Sequence, residues 1–195
     1  MKDLAHRFNP LHTMPNLLTI ARVCLAPFLV AVILERRFSV GFALFIVAGL
    51  TDALDGMLAR LLKQRTVLGQ YLDPVADKLL LSTLFLVLTH LNLIAVSITV
   101  LVFGRDLGIL VVAALLYAAV GRREFKPSIF GKLNTLAQVT AVAAVLLAQF
   151  DRDGWVLHLR AIALDATVVL TIASGLHYAW LITRRSPAHP LNGEA

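Results

Sequence analysis

Charged residues are scarce in this chain of 195 residues, and cysteine is almost absent. Only 15% of the residues are Asp, Glu, Lys or Arg, against about 25% in soluble domains, while 58% are hydrophobic. The single cysteine, Cys24, excludes an internal disulfide and a cysteine-rich metal site. Basic patches interleaved with aromatic residues, which are typical of single-strand binding, are also missing. Despite a net charge of +6, the composition therefore argues against nucleic acid as a partner.

The hydrophobic residues fall in long runs, which predict membrane-spanning helices rather than amphipathic ones. A helix needs about 20 mostly apolar residues to cross the hydrocarbon core. Six runs fit, at about residues 17–34, 40–54, 73–89, 93–120, 133–147 and 161–182, and the second can continue as helix to Arg60. We therefore predict an all-α, polytopic membrane protein with six transmembrane helices.

The basic residues outside these runs predict the orientation. An even number of spans places both termini on one side, which carries Lys2, Arg7, Arg60, Lys63, Arg65, Arg122, Arg123, Lys126, Lys132, Arg184 and Arg185. The opposite loops carry only Arg36, Arg37, Arg152 and Arg160. By the positive-inside rule, both termini and the 60–73 connection face the cytoplasm. The predicted location is the cell (inner) membrane.

The two ends of the chain differ from its middle. Residues 1–15 mix apolar and basic side chains, which predicts a short amphipathic helix lying on the membrane surface, with a disordered tail as the alternative. Residues 186–195 are polar, contain two prolines and are predicted to be flexible. Since no internal repeat is visible, residues 16–185 are expected to form a single six-helix domain.

Four aspartates stand at the ends of two adjacent spans, although charge is costly there. Asp52 and Asp55 are three residues apart, and Asp73 and Asp77 are four apart, so each pair projects from one helix face. The two helices are consecutive and antiparallel, which lets the pairs converge. A bound cation would remove the repulsion between the carboxylates. Oxygen ligands favour Mg²⁺ or Mn²⁺, with Ca²⁺ as an alternative, and four carboxylates suffice for two ions.

The residues between these pairs suit a diphosphate. Gly56 and Ala59 leave the helix face open to a ligand, and Arg60 offers a planar donor fork to phosphate oxygens. Gly69 can take a positive φ or let a ligand approach the turn before the third span. Metal, arginine and open backbone together predict a site for a pyrophosphate-bearing substrate.

Two other classes of protein could also carry acidic residues at the ends of membrane spans. A cation-coupled transporter also carries intramembrane carboxylates, but it usually needs more spans and inverted repeats. A non-catalytic membrane partner would keep the acids as a rim paired with Arg60, Lys63 and Lys78. That rim explains one aspartate but not the whole pattern, Asp52-x2-Asp55-Gly56-x2-Ala59-Arg60-x8-Gly69-x3-Asp73-x3-Asp77.

This pattern resembles, without departure, the signature of the CDP-alcohol phosphatidyltransferases. The opening Pro15-Asn16-Leu17-Leu18-Thr19-x2-Arg22 and the string Leu72-Asp73-Pro74-Val75-Ala76-Asp77-Lys78 are similar to the bacterial phosphatidylglycerophosphate and cardiolipin synthases of that family. The resemblance covers about residues 14–184. It implies a six-helix fold with a cytoplasm-facing polar cavity, commonly in a homodimer.

The resemblance also implies roles for the site residues and a reaction. The metal ligands would be Asp52, Asp55, Asp73 and Asp77, and the CDP site would be lined by Asp52, Gly56, Ala59, Arg60 and Gly69. Asp77 would take the proton from the acceptor hydroxyl, which attacks the phosphorus bonded to diacylglycerol, and CMP leaves.

Basic residues in or beside the spans are candidates for binding a phosphate on the acceptor. These are Arg22, Arg105 and Lys132. Snorkelling to lipid headgroups is the alternative for Arg22 and Lys132. For Arg105 the alternative is pairing with Asp106, which is disfavoured because adjacent residues do not share a helix face. Tyr178 fits an interfacial or packing role.

The identity of the acceptor depends on departures from the resemblance. Phosphatidylglycerophosphate synthases commonly show Arg-Glu at Arg105-Asp106, an arginine at Ala113 and Gly-Lys-x-Lys-Thr in the fifth span. This chain has Gly131-Lys132-Leu133-Asn134-Thr135 in the fifth span. Ala113 in place of arginine and Asn134 in place of lysine each remove a positive charge. The stretch from Lys126 to Thr135 is more similar to the cardiolipin synthases. We therefore predict phosphatidylglycerol as acceptor, with glycerol 3-phosphate as the alternative and CDP-diacylglycerol as donor.

Overall fold

The computed structural model describes the chain at residues 14–61, 67–120 and 129–185, and the side chains at 24–51, 78–111, 129 and 131–178. These residues form six helices and no strand: α1 Met14–Leu34, α2 Phe38–Leu61, α3 Val67–His90, α4 Val96–Val120, α5 Ile129–Leu147 and α6 Gly154–Arg185. The all-α prediction is confirmed. The predicted surface helix lies outside the described residues except for its last two, which begin α1. The predicted tail at 186–195 also lies outside them.

The helices are longer than the apolar runs that predicted them. The sixth run was placed at 161–182, whereas α6 extends from Gly154 to Arg185. The third was placed from Asp73, whereas α3 begins at Val67, so Gly69 lies in its first turn. The prediction that Gly69 takes a positive φ is therefore wrong, because residues in a helix have a negative φ. Hydropathy marks the apolar part of a helix, while polar residues such as Arg160 continue it.

Tight caps make two of the connections short. Arg36 and Asn92 have φ angles of 58° and 59° and follow α1 and α3. In each case the next amide donates to a carbonyl five residues back, Arg37 to Val32 at 3.1 Å and Leu93 to Leu88 at 2.8 Å. This is the Schellman arrangement, which satisfies the last carbonyls of a helix and reverses the chain. It places α1 and α2, and likewise α3 and α4, side by side.

The buried core lies between α1, α2, α3 and α5. Among the described residues, α3 contributes more large buried hydrophobic side chains than any other helix, with Leu84, Phe85 and Leu88 fully buried. They join a cluster that contains Leu29 and Ile33 of α1, Phe45 of α2, Val102 of α4, and Val142, Val145 and Leu146 of α5. α4 and α5 both contact α6, and α5 also contacts α2. α3 also carries Asp73, Asp77 and Lys78.

Phe85 gives a test of this core. Replacing it by alanine is expected to lower the free energy of unfolding by about 3–5 kcal/mol, since a large buried ring leaves a cavity. The neighbouring Leu86 is 52% exposed, and Leu86→Ala is the matched control with a much smaller expected effect. The measurement is denaturant-induced unfolding in detergent. Equal losses in the two variants would contradict this description of the core.

Large apolar side chains are exposed on the outer surface of the bundle wherever side chains are described. Every helix exposes at least one large hydrophobic side chain, for example Phe28, Val47, Leu86, Val100, Leu136 and Val169 in chain order. Such a surface is unusual for a soluble monomer and is typical of contact with lipid or another apolar partner. Where side chains are described, one stretch, Gly154–Tyr178, is long and apolar enough to cross a membrane. Shorter apolar stretches lie at Cys24–Leu34, Phe38–Thr51, Lys78–His90 and Gly131–Leu147.

Candidate functional site

The predicted metal and CDP residues lie on two consecutive helices. Asp52, Asp55, Gly56, Ala59 and Arg60 belong to α2, and Gly69, Asp73 and Asp77 belong to α3. Their side chains lie outside those that the structure describes, as does the side chain of Arg22 in α1. Among the described side chains, no group of three or more His, Cys, Asp or Glu could hold a metal ion. The roles of these residues therefore remain predictions.

A cavity of about 230 Å³ opens between the helices that carry two of the predicted acceptor ligands. It is lined by Lys78 of α3, Arg105 and Ile109 of α4, Gly131, Lys132 and Thr135 of α5, and Tyr178 of α6. The structure thus brings Arg105 and Lys132 to one site. Lys78 directly follows Asp77 along α3, so the backbone of the predicted base lies about 3.8 Å from that of a cavity-lining residue.

Arg105 is held firmly in this cavity. Its side chain is only 7% exposed, and its Nη1 donates to Asp106 Oδ1 at 2.6 Å. The pairing with Asp106, which the helix-face rule disfavoured, is therefore present, because the long arginine side chain reaches its neighbour. On its other edge, Nε and Nη2 donate to Ser174 Oγ at 3.2 and 2.5 Å. The guanidinium therefore joins α4 to α6.

Asp106 links the cavity to α3. Its Oδ2 accepts a charged hydrogen bond from Lys78 Nζ at 2.7 Å, while its Oδ1 binds Arg105. The side chain of Asp106 is 14% exposed and that of Lys78 is 42% exposed. Water near the lysine therefore weakens the attraction within this ion pair. With Lys132, three cations line the cavity among the described side chains, while Asp106 pairs with two of them and does not line it. The formal excess of positive charge suits an anionic ligand.

A hydrogen bond between α5 and α6 defines the register of these two antiparallel helices. Thr171 Oγ1 donates to Asn134 Oδ1 at 2.9 Å, and both residues are buried. One turn toward the cavity, the same register brings Ser174 opposite Gly131. In agreement, a Cβ at Gly131 would lie 3.6 Å from Arg105 Nη2 and 3.8 Å from Tyr178 Oη. α6 therefore contacts the helices of both predicted acceptor cations.

The buried polar seam continues one turn farther from the cavity. Gln138 and Thr167, both at most 2% exposed, follow Asn134 and Thr171 in the same register. The Thr167 hydroxyl donates to the carbonyl of Ala163 in its own helix at 2.8 Å. Within the described part of the chain, Asn134 Nδ2 and Gln138 Nε2 have no hydrogen-bond partner.

Sequence reasoning missed Tyr178 as a residue that lines the cavity and Ser174 as a partner of Arg105. Tyr178 was assigned to the interface or to packing, and instead it lines the cavity. Ser174 was not singled out, although it binds Arg105. A serine inside an apolar run carries little signal alone. Its spacing of three from Thr171 and of four from Tyr178 is the clue, because the three residues share one face of α6.

Comparison with known proteins agrees with the resemblance. Residues 12–173 match the family described as CDP-alcohol phosphatidyltransferase. Cardiolipin synthase (CMP-forming) of Rattus norvegicus is 39% identical over 154 residues, which are 70% of this chain and 50% of the rat protein. CDP-diacylglycerol--glycerol-3-phosphate 3-phosphatidyltransferase of Bacillus subtilis is 32% identical over 181 residues, 85% of this chain and 92% of that enzyme.

A third relative lies between these two in coverage. The probable phosphatidylglycerophosphate synthase of Mycobacterium tuberculosis is 33% identical over 171 residues, 84% of this chain and 78% of that protein. The chain spans about half the length of the rat and human cardiolipin synthases that it matches. Relatives named cardiolipin synthase and relatives whose name specifies glycerol 3-phosphate are both similar to this chain over most of its length. On this match, the chain belongs to the CDP-alcohol phosphatidyltransferase family.

Proposed function

We propose that the protein transfers the phosphatidyl group of CDP-diacylglycerol to an alcohol, with release of CMP, in phospholipid biosynthesis. The observation that carries this proposal is the cationic cavity beside the predicted base. Lys78, Arg105 and Lys132 line one cavity, and Lys78 directly follows Asp77. A phosphate-bearing alcohol bound by these cations would have its hydroxyl near the middle of α3. There Asp77 can accept the hydroxyl proton as the alcohol attacks phosphorus.

The donor set on α2 and α3 fits a divalent metal. Mg²⁺ and Mn²⁺ prefer oxygen ligands such as carboxylates. α2 and α3 each carry two of the four aspartates. Asp52, Asp55, Asp73 and Asp77 would hold two such ions. Bound there, the ions would supply electrostatic stabilisation of the diphosphate. Gly56, Ala59, Arg60 and Gly69, with Asp52, would hold and orient the CDP moiety.

For the acceptor we propose phosphatidylglycerol, which would make the protein a cardiolipin synthase. The neutral Asn134 and the Lys126–Thr135 stretch support this choice, as does the 39% identity to the rat cardiolipin synthase. The side chain of Asn134 is neutral and buried, adds no charge to the cavity, and accepts a hydrogen bond from Thr171.

Glycerol 3-phosphate is the second candidate. The three cations that line the cavity among the described side chains favour a doubly anionic phosphate monoester. The Bacillus subtilis relative, whose name specifies glycerol 3-phosphate, is matched over 92% of its length.

The same proposal places the protein in the cell membrane. The apolar side chains exposed on all six helices support six transmembrane spans. Both termini and the opening of the cavity would face the cytoplasm, as the distribution of Lys and Arg indicates. The protein is proposed to act as a homodimer.

The proposal is tested with purified protein in detergent, CDP-diacylglycerol and Mg²⁺ or Mn²⁺. Phosphatidylglycerol and glycerol 3-phosphate are supplied in separate reactions, and CMP and lipid products are followed by mass spectrometry. Cardiolipin and CMP from the first reaction support the preferred acceptor. Phosphatidylglycerophosphate without cardiolipin would make glycerol 3-phosphate the acceptor. No CMP from either, with folded protein, would refute both.

Chelation gives a separate prediction about the metal. Removing divalent ions with EDTA is expected to abolish CMP release, because the carboxylates then repel one another and the diphosphate is no longer neutralised. Adding Mg²⁺ or Mn²⁺ in excess of the chelator is expected to restore the rate. Unfolding curves with and without EDTA separate loss of chemistry from loss of fold. Full activity in EDTA would contradict the metal assignment.

A further inference from the structure

We propose that Ser174 is a positioning residue for the acceptor site, acting through Arg105. The inference rests on the proposed function, in which Arg105 binds the acceptor's phosphate. The Ser174 hydroxyl oxygen would fix the guanidinium so that its remaining donors face the cavity. Ser174 itself is fully buried and does not line the cavity, so its role is distinct from direct binding.

A count of donors supports this role. A guanidinium has five N–H groups. One on Nε and one on Nη2 are bound by Ser174, and one on Nη1 is bound by Asp106. Two remain, one on each terminal nitrogen. Both can donate hydrogen bonds to phosphate oxygens.

Asp106 alone would not hold Arg105 in this orientation. It binds a single N–H of Arg105, lies next to it on the same helix, and shares its charge with Lys78. A single hydrogen bond leaves the guanidinium plane free to rotate about it. Ser174 binds two N–H groups on one edge of the plane, and it does so from another helix. The two contacts together define the plane and its direction.

The register of α6 fixes the place of Ser174. Thr171, one turn earlier on the same face, binds Asn134 of α5. Because α6 is fastened to α5 there, Ser174 lies opposite Gly131, at the end of α5 that carries Lys132. The hydroxyl that orients the arginine is thereby placed beside the second cation. We infer that α6 sets the relative position of the two acceptor ligands.

The test compares removal of two buried hydroxyls from α6. Ser174→Ala removes the one that binds Arg105, and Thr167→Val removes one that bonds only to its own helix. For Ser174→Ala, the KM for the acceptor is expected to rise about tenfold, with the KM for CDP-diacylglycerol unchanged. Thr167→Val is expected to change neither constant. Should Ser174→Ala fail to fold, Ser174→Cys keeps the shape with a much weaker acceptor and takes its place.

A binding measurement keeps this test separate from that of the activity. The thermal unfolding midpoint is followed at rising concentrations of inorganic phosphate, which mimics the phosphate group of both candidate acceptors. Weaker stabilisation in Ser174→Ala than in Thr167→Val and wild type supports the proposal even if no acceptor is turned over. Equal behaviour of the two variants, in KM or in phosphate stabilisation, overturns it. A wild-type protein that neither releases CMP nor binds phosphate overturns both this inference and the proposed function.

Discussion

Replacing Asp77 by asparagine is expected to reduce CMP release by about 10²–10⁴-fold, the range that a positioned general base usually contributes. The amide cannot accept the proton of the attacking hydroxyl, and it also removes a negative charge from the predicted metal site. The substitution is nearly isosteric, so the fold should be kept. The measurement is the initial rate of CMP release at saturating CDP-diacylglycerol and acceptor, together with the unfolding midpoint in the same detergent.

Asp165→Asn is the matched control for this experiment. Asp165 is an exposed carboxylate of α6 that takes no part in the cavity lining. Its replacement is expected to leave the rate unchanged. If Asp77→Asn lost stability and kept its activity per folded molecule, the aspartate would have a structural role, as in the rim of ion pairs considered above. Loss of rate with an unchanged unfolding midpoint is the outcome that the enzymatic proposal requires.

Replacing Arg105 by glutamine is the second change with a large expected effect. The KM for the acceptor should rise about 10- to 100-fold, since a charge-assisted hydrogen bond contributes about 1.5–3 kcal/mol. The KM for CDP-diacylglycerol should stay within about twofold, because the donor is assigned to α2 and the start of α3. Arg105→Lys should recover little, since an ammonium group cannot bind Ser174 and Asp106 in the same fork geometry.

Arg160→Gln is the control for the loss of an interhelical arginine. Arg160 Nη2 donates to the carbonyl of Leu93, in the connection between α3 and α4, at 2.8 Å. That contact lies beyond the end of α3, about 18 Å along the helix from Lys78. Arg160→Gln is therefore expected to lower stability and leave both KM values unchanged. A rise in the KM for CDP-diacylglycerol with Arg105→Gln would move this arginine to the donor site.

The sequence predicted what depends on composition and on spacing along one helix. Six apolar runs predicted six helices, and the basic residues in or beside these runs led to Arg105 and Lys132, which share a cavity. The helix ends were less predictable, because Gly154 and Val67 begin helices outside the apolar runs. A hydropathy run ends where apolar side chains end, while the backbone hydrogen bonds of the helix continue past them.

Contacts between helices distant in the sequence could not be predicted in the same way. Ser174 and Arg105 are 69 residues apart, and their contact depends on the packing of α4 on α6. The pairing of Arg105 with Asp106 was disfavoured by a rule about helix faces, yet side-chain length and burial decided it. The aspartate pattern was the most specific signal in the sequence, and its geometry remains a prediction.

The polar seam between α5 and α6 has a consequence for how the chain enters a bilayer. Asn134, Gln138, Thr167 and Thr171 are all buried in that seam, and two of their amide nitrogens lack partners among the described residues. Alone in lipid, α5 would expose two amide side chains to hydrocarbon, which disfavours stable insertion. The connection to α6 spans only residues 148–153, so α6 can cover these groups as soon as it is synthesised. We expect α5 and α6 to enter the membrane together as a helical hairpin, and α4 to dock afterwards through Arg105.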